Sequence, residues 1–220
     1  MIKAVIFDLD GTLLDTIEDI TDSLNAALAA DGLRAYTAAE TKLFVGSGVK
    51  TLLERALALT PGALGKYDSV RERYLSEYAA RRTVKTRPYP GLEEVLDELR
   101  AMGLKTAVLS NKPQADALKT AGYYFPRAGF AMVVGQREGV PVKPDPSSLL
   151  AMVRELGLRT EDCLFVGDSD VDMRTAINAG MLKVGVLWGF RPRQVLEAHG
   201  ADYLVDRAGS LLEIVRELNS

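Results

Sequence analysis

Two aspartates, Asp8 and Asp10, follow the first apolar run of the chain. Residues 3–7 read as a short buried strand, and the aspartates come directly after it, before a glycine and a threonine. In extended backbone, side chains two residues apart point to the same side. We therefore expect Asp8 and Asp10 to face one ligand.

Two further aspartates, Asp168 and Asp172, follow a later predicted strand. Four carboxylates in one pocket would repel one another and raise one another's pKa values, so such a cluster needs a cation. Ligands that are all oxygen favour a hard ion, and Mg²⁺ is the usual choice where phosphate is handled. Aspartate is also common in turns and helix caps, so a structural role for Asp168 or Asp172 alone stays open.

Three residues could hold a phosphoryl group: Ser110 and Asn111, at the end of another predicted strand, and Lys143, in a proline-rich segment. Phosphoryl oxygens need hydrogen-bond donors and positive charge, which a hydroxyl, an amide and an ammonium group supply. Each residue alone fits a solvated loop equally well. Their predicted place beside the aspartates favours the phosphoryl site.

The elements that must position these residues alternate between helix and strand after residue 91, which predicts an α/β fold with a doubly wound parallel sheet. Predicted strands cover 104–109, 130–134, 163–166, 183–186 and 202–205, and predicted helices cover 92–102, 146–156 and 170–179. Ligands of such sheets bind at the carboxyl ends of the strands. Because every polar cluster falls at a strand end, we expect one shared site.

Between residues 16 and 83 no strand pattern appears, and apolar residues recur at helical spacing. This pattern predicts an all-helical insert of about four helices, with breaks at 46–48 and 60–62. The predicted domains are a catalytic core at 1–15 and 87–220, and a helical cap at 16–86.

Composition narrows the class of protein. The chain has 220 residues, a net charge of −3 and no basic block, which argues against a nucleic-acid partner. No segment reads as a signal peptide or membrane span. The single Cys163 cannot form an intramolecular disulfide, which fits a reducing cytoplasm.

The order of the motifs resembles the haloacid-dehalogenase-like hydrolase superfamily over essentially the whole chain. Residues 8–15 match its first motif and residues 167–172 its fourth, while Ser110 and Lys143 match the second and third. The insert resembles the helical cap domain of that superfamily. The resemblance implies a Rossmann-like core and a Mg²⁺-dependent phosphatase of small phosphorylated metabolites.

The resemblance also implies roles for the residues. Asp8 would attack phosphorus to form an aspartyl-phosphate, and Asp10 would serve as general acid and base. The implied metal site comprises Asp8, the backbone carbonyl of Asp10, Asp168 and, in support, Asp172. The implied phosphate-binding residues are Ser110, Asn111 and Lys143.

Several alternatives stay open. Asp10 argues against dehalogenases, which lack an acid there, and Ile20 stands near the place where sugar-phosphate mutases carry a cap histidine. A sugar-phosphate phosphatase or phosphomutase is still the main alternative. A phospho-receiver-like protein or a non-catalytic binding module is a more distant one.

The cap turn at Gly46, Ser47 and Gly48, with two further segments, resembles phosphoglycolate phosphatases. This resemblance implies 2-phosphoglycolate as the substrate, with its carboxylate near the backbone N–H groups of the turn. The sequence leaves the oligomeric state open.

Overall fold

The computed structural model describes residues 1–220. The strands are β1 (Ala4–Phe7), β2 (Leu14–Asp15), β3 (Arg87–Pro88), β4 (Lys105–Pro113), β5 (Met132–Gln136), β6 (Cys163–Gly167), β7 (Leu182–Val186) and β8 (Tyr203–Val205). The helices are α1 (Ile17–Ala29), α2 (Ala38–Phe44), α3 (Gly48–Ala58), α4 (Tyr67–Arg81), α5 (Leu92–Ala101), α6 (Gln114–Tyr124), α7 (Ser147–Glu155), α8 (Asp170–Ala179), α9 (Arg193–Ala198) and α10 (Ser210–Asn219). None of these helices has the length and apolar character needed to cross a membrane.

Six strands form one parallel sheet in the order β5-β4-β1-β6-β7-β8. Central β1 is buried throughout: Val5 and Phe7 pack into the apolar cluster on one face, Ala4 and Ile6 into that on the other. A strand covered on both faces is expected to be continuously apolar. Helices α5, α6 and α10 cover one face and α7 and α8 the other, which confirms the predicted doubly wound sheet.

The strand order places a switch point at β1. The chain builds β4 and β5 on one side of β1 and then returns to build β6, β7 and β8 on the other. Crossovers that leave in opposite directions open a crevice at the carboxyl end of the central strand. The first two aspartates of the sequence lie at this crevice.

Helices α1 to α4 pack around an apolar cluster of their own, which confirms the predicted helical insert. All but one of its 17 buried residues come from this helical unit, and the exception is Phe190 of the sheet domain. The two connections to the sheet pair as a short antiparallel ribbon, β2 with β3. The buried carboxylate of Asp19 anchors the second connection by accepting hydrogen bonds from the backbone N–H groups of Lys85 and Thr86.

The boundaries of two strands differ from the prediction by two residues or more. Strand β5 covers 132–136 instead of 130–134. Strand β4 was expected to end at residue 109, but it continues to Pro113 after an irregularity in its pairing with β5. The Gln114 side chain stabilises this extension, since it donates to the Val133 carbonyl at 3.0 Å and accepts from the Gly135 N–H at 2.7 Å. Ser110 and Asn111 therefore lie within a strand.

Candidate active site

Three buried carboxylates, those of Asp8, Asp168 and Asp172, meet at the carboxyl ends of β1 and β6, with ligand atoms within 4.8 Å of one another. Asp8 directly follows β1, Asp168 directly follows β6, and Asp172 lies in the first turn of α8. These strands are neighbours in the sheet, so their ends bring the residues together. The predicted convergence of Asp8 with Asp168 and Asp172 is therefore present.

Asp168 is fixed by groups from two other loops. It accepts hydrogen bonds from the Thr12 hydroxyl at 3.0 Å and from the Phe190 N–H at 2.7 Å. Gly11 has a φ of +91°, and a Cβ on Gly11 or on Gly189 would collide with the Asp168 side chain. These glycines let the backbone close around one carboxylate.

Lys143 provides the positive charge among the carboxylates. Its ammonium lies 2.8 Å from an Asp8 oxygen and 2.6 Å from an Asp172 oxygen. Burial opposes the charged form, but the ion pairs with Asp172 and Asp8 outweigh it and raise the pKa of Lys143. Lys143 is thus a permanent cation beside Asp8.

Both Asp172 oxygens are already engaged. Oδ1 accepts from Lys143, and Oδ2 accepts from the Ser169 hydroxyl at 2.6 Å and the Ser169 N–H at 3.1 Å. The Ser169 bonds form a capping box at the start of α8. Asp172 therefore orients Lys143, whereas Asp8 contacts Lys143 through one oxygen and keeps its second oxygen without a partner among the protein groups.

The electrostatics of the cluster fit a divalent cation. Burial and the neighbouring carboxylate of Asp172 raise the pKa of Asp168 to about 7. Burial also raises the pKa of Asp8, against the attraction of Lys143, with Asp172 and Asp168 adding to the rise. The buried carboxylates have too little positive charge around them when they are ionised. Oxygen ligands of this kind suit a hard cation such as Mg²⁺, so Asp8 and Asp168 fit the implied metal.

These shifts predict how stability depends on pH in the presence of a chelator. The folded state binds more protons than the unfolded state between the ordinary pKa of Asp168, 3.8, and its raised value of about 7, so stability falls as pH rises through this window. With a chelator present, we expect the protein to melt at a lower temperature at pH 8 than at pH 5. The difference should be about 2–4 °C for each kcal/mol of unfolding free energy that is lost.

Asp168→Asn should flatten this pH dependence because an amide does not titrate. Thermal melts of wild type and variant at both pH values would check it. Parallel curves for the two proteins would contradict the role given to Asp168.

The Asp10 side chain lies outside the carboxylate cluster. Both of its oxygens accept from the Lys112 ammonium at 2.8 Å, and that ammonium also donates to the Tyr78 hydroxyl at 2.7 Å. Lys112 was missed as a functional residue. The missed signal is its spacing of two from Ser110, which in a strand points both side chains the same way.

Ser110 and Asn111 differ in what they leave free. The Ser110 oxygen accepts from the Lys112 N–H at 3.2 Å, so the hydroxyl hydrogen can still be donated. The Asn111 side-chain amide donates to the Gly46 and Lys143 carbonyls, at 2.9 Å each, and its oxygen accepts from the Lys143 N–H. Asn111 therefore ties Lys143 to the helical unit, and phosphate binding by Asn111 stays a prediction.

The cap turn contacts the sheet domain directly. The Gly46 carbonyl meets Asn111, and Gly48 adopts a φ of +83° with the Asn111 carbonyl and Gln136 close by. Arg191, from the loop after β7, donates to the carbonyls of Lys42 and Val45 at the end of α2. These contacts hold the helical unit against the site, and sequence patterns gave no indication of Arg191.

A cavity of about 60 Å³ lies between the sheet domain and the helical unit. Its polar wall contains Asp8, Asp10, Ser110 and Lys112. The helical unit contributes Ile20, Val45, Gly46, Gly48, Val49, Leu52, Tyr74, Leu75 and Tyr78. The cavity is larger than the about 10–15 Å³ that a single water needs, so it can admit a ligand. Ser47 is not part of its lining.

Residues 2–180 match the family model of the haloacid dehalogenase-like hydrolases. The chain is 37% identical over 195 residues to a phosphoglycolate phosphatase of Mesorhizobium japonicum, covering 88% of this chain and 86% of the relative. It is 36% identical to a phosphoglycolate phosphatase of Rhodospirillum rubrum, covering 96% and 90% of the two chains.

A solved structure has the same architecture. The crystal structure of a provisionally assigned phosphoglycolate phosphatase from Lactobacillus delbrueckii subsp. bulgaricus superposes with a TM-score of 0.91 at 35% identity. The match covers 97% of this chain and 98% of the other, so it includes both the sheet domain and the helical unit.

Proposed function

The chain belongs to the haloacid dehalogenase-like hydrolase family and is a phosphatase, and we propose that it hydrolyses 2-phosphoglycolate through an aspartyl-phosphate on Asp8. The observation that carries the proposal is the position of Asp8, at the switch point of the sheet, in the cavity wall and 2.8 Å from Lys143. A carboxylate placed at the end of a substrate pocket, beside a fixed cation, can act as a nucleophile toward a phosphoryl group.

In the first half of the reaction, an Asp8 oxygen attacks phosphorus and the ester oxygen leaves as glycolate after taking a proton from Asp10. In the second half, water attacks the aspartyl-phosphate, Asp10 removes the proton from that water, and Asp8 is regenerated with inorganic phosphate. Splitting the displacement in this way replaces one difficult step with two easier ones.

The surrounding residues neutralise and orient the phosphoryl group. Lys143 and the free Ser110 hydroxyl donate to its oxygens, with Asn111 fixing the backbone of Lys143. Mg²⁺, held by Asp8 and Asp168 with the Asp10 carbonyl, would supply further positive charge for the phosphoryl oxygens and for the buried carboxylates. Asp172 keeps Lys143 in place throughout.

We also propose that the helical unit, with boundaries at 16–86, is the cap that selects the substrate. Every reacting group belongs to the sheet domain, whereas helices α1, α3 and α4 supply the apolar wall of the cavity. A cap closed over the site excludes water from the reaction. The turn at Gly46, Ser47 and Gly48 would set the depth of the pocket.

The lining of the cavity argues against a sugar-phosphate mutase. Ile20 lines it near the place where such mutases carry a histidine, so 2-phosphoglycolate is favoured over a mutase substrate. The names of the Mesorhizobium and Rhodospirillum relatives point to the same substrate.

A panel of phosphorylated metabolites assayed for phosphate release tests the substrate. We expect kcat/KM for 2-phosphoglycolate to exceed that for glucose 6-phosphate by at least about 100-fold, which corresponds to about 3 kcal/mol of differential binding in the transition state. Equal or greater activity on the sugar phosphate would contradict the assignment.

A further inference from the structure

One buried ammonium, that of Lys112, lies at the junction of the two domains. Its side chain is 4% exposed, and it contacts Asp10 of the sheet domain and Tyr78 of the helical unit. Its position on β4, two residues after Ser110, places it beside the predicted phosphoryl site but farther toward the cap. The mechanism above gives Lys112 no part.

Lys112 is the only cationic residue in the lining of the cavity. Lys143 is committed to Asp8 and Asp172, and so belongs to the phosphoryl end. Asp116, another acidic residue of the cavity lining, lies 3.7 Å from Arg82 and so has a counter-charge of its own. Lys112 is therefore the one cationic side chain available to a second anionic group on the substrate.

We propose that Lys112 and Tyr78 bind the carboxylate of the substrate, and that this carboxylate displaces Asp10 from Lys112. The inference rests on the proposed function, because it assigns the recognition of that substrate's non-reacting end. One carboxylate replaces another beside Lys112, so the charge around the buried ammonium is conserved. Asp10 then becomes free to turn toward the leaving oxygen, where the reaction needs it.

Tyr78 is suited to complete this subsite. Its oxygen accepts from Lys112, and its own hydroxyl hydrogen has no acceptor among the protein groups. Burial and the nearby Asp10 raise the pKa of Tyr78, so the hydroxyl keeps that hydrogen and can donate it to a carboxylate. Because Tyr78 lies on α4, a bound carboxylate would also connect the cap to the sheet domain.

The subsite explains how a small anion could be selected by a largely apolar cap. A buried ion pair is costly to break when one partner is removed, because the other charge stays desolvated. A substrate without a carboxylate cannot replace Asp10 on Lys112, so it would have to react while Asp10 is still held. Selectivity then arises both from binding and from the position of Asp10.

The test compares 2-phosphoglycolate with 2-hydroxyethyl phosphate, which has similar size but a neutral hydroxyl in place of the carboxylate. The measured quantity is the ratio of their kcat/KM values. We expect Lys112→Met to lower this ratio by about 30-fold or more, as for truncation of a buried charge pair. Tyr78→Phe should lower it by about 10-fold or more through the loss of one hydrogen bond to a charged group.

Two further variants separate recognition from folding. Lys112→Arg keeps the charge and should restore part of the ratio of kcat/KM values. If Lys112 only stabilised the fold, its substitution would lower both kcat/KM values alike and leave their ratio unchanged. Lys50→Met is the matched control, since Lys50 is exposed on α3 and pairs with Glu54. It should leave the ratio unchanged.

The outcomes separate this inference from the proposed function. If Lys112→Met leaves the ratio of kcat/KM values unchanged, whether or not both values fall, the carboxylate subsite is overturned even while wild type prefers 2-phosphoglycolate. A wild-type enzyme that does not prefer 2-phosphoglycolate to 2-hydroxyethyl phosphate would overturn both.

Discussion

Asp8→Asn is expected to lower kcat for 2-phosphoglycolate by about 10⁴- to 10⁶-fold, because removing a nucleophile disables both halves of the reaction. The amide has nearly the shape of the carboxylate but cannot attack phosphorus at a useful rate. Steady-state phosphate release, measured beside wild type, checks the expectation. Activity within 10-fold of wild type, taken as about 1.4 kcal/mol, would exclude Asp8 as the nucleophile.

The fold should survive this substitution. Burial and two neighbouring carboxylates already disfavour the charged form of Asp8, and Lys143 keeps Asp172 as an ion partner at 2.6 Å. The melting temperature of Asp8→Asn should therefore stay close to that of wild type. Asp10→Asn serves as a graded comparison, with an expected loss of about 10²- to 10⁴-fold for general acid–base catalysis alone.

Chelation is expected to lower activity by at least about 10³-fold, because a catalytic cation stabilises the charge that develops in the transition state by several kcal/mol. The structural reason is the buried cluster of Asp8, Asp168 and Asp172, for which Lys143 is the only ammonium in contact. Adding Mg²⁺ back should restore the rate. The measurement is phosphate release before and after addition of excess chelator.

Calcium provides the matched control for the metal. It prefers more ligands and a looser shell than Mg²⁺, so it should bind but support only weak turnover. Full activity in excess chelator would contradict the metal requirement. Equal rates with both ions would instead contradict the choice of Mg²⁺.

Much of the site followed from a single rule of parallel sheets. The apolar run at β1 predicted a buried strand, and aspartates after β1 and β6 were expected to meet because the carboxyl ends of parallel strands share one edge. Asp8, Asp168 and Asp172 do meet there. Local pattern was sufficient because strand, turn and helix-start signals all coincide at these positions.

Lys112 was missed because its functional contacts are not local. The segment 110–113 has the composition of a turn, and only pairing with β5 and the Gln114 side chain keeps it extended. Its partner Tyr78 lies 34 residues away, on a helix of the other domain. Such a contact depends on how the two domains dock, which periodicity does not describe.

Arg191 and Phe190 illustrate the same limit. Both lie in the loop after β7, yet they contact carbonyls of the helical unit and its apolar cluster. The β2–β3 ribbon was missed for a different reason: each strand has two residues, too few for an alternating pattern to appear.

The most direct test of the aspartyl-phosphate mechanism is to locate the phosphoryl group during turnover. Enzyme mixed with labelled 2-phosphoglycolate would be quenched in acid within one turnover, reduced with borohydride to convert any acyl phosphate into an alcohol, and mapped by peptide mass spectrometry. Reduction is expected at Asp8 in wild type and at no residue in Asp8→Asn. Turnover without any phosphoprotein, or modification at a different residue, would contradict the assignment of Asp8 as the nucleophile.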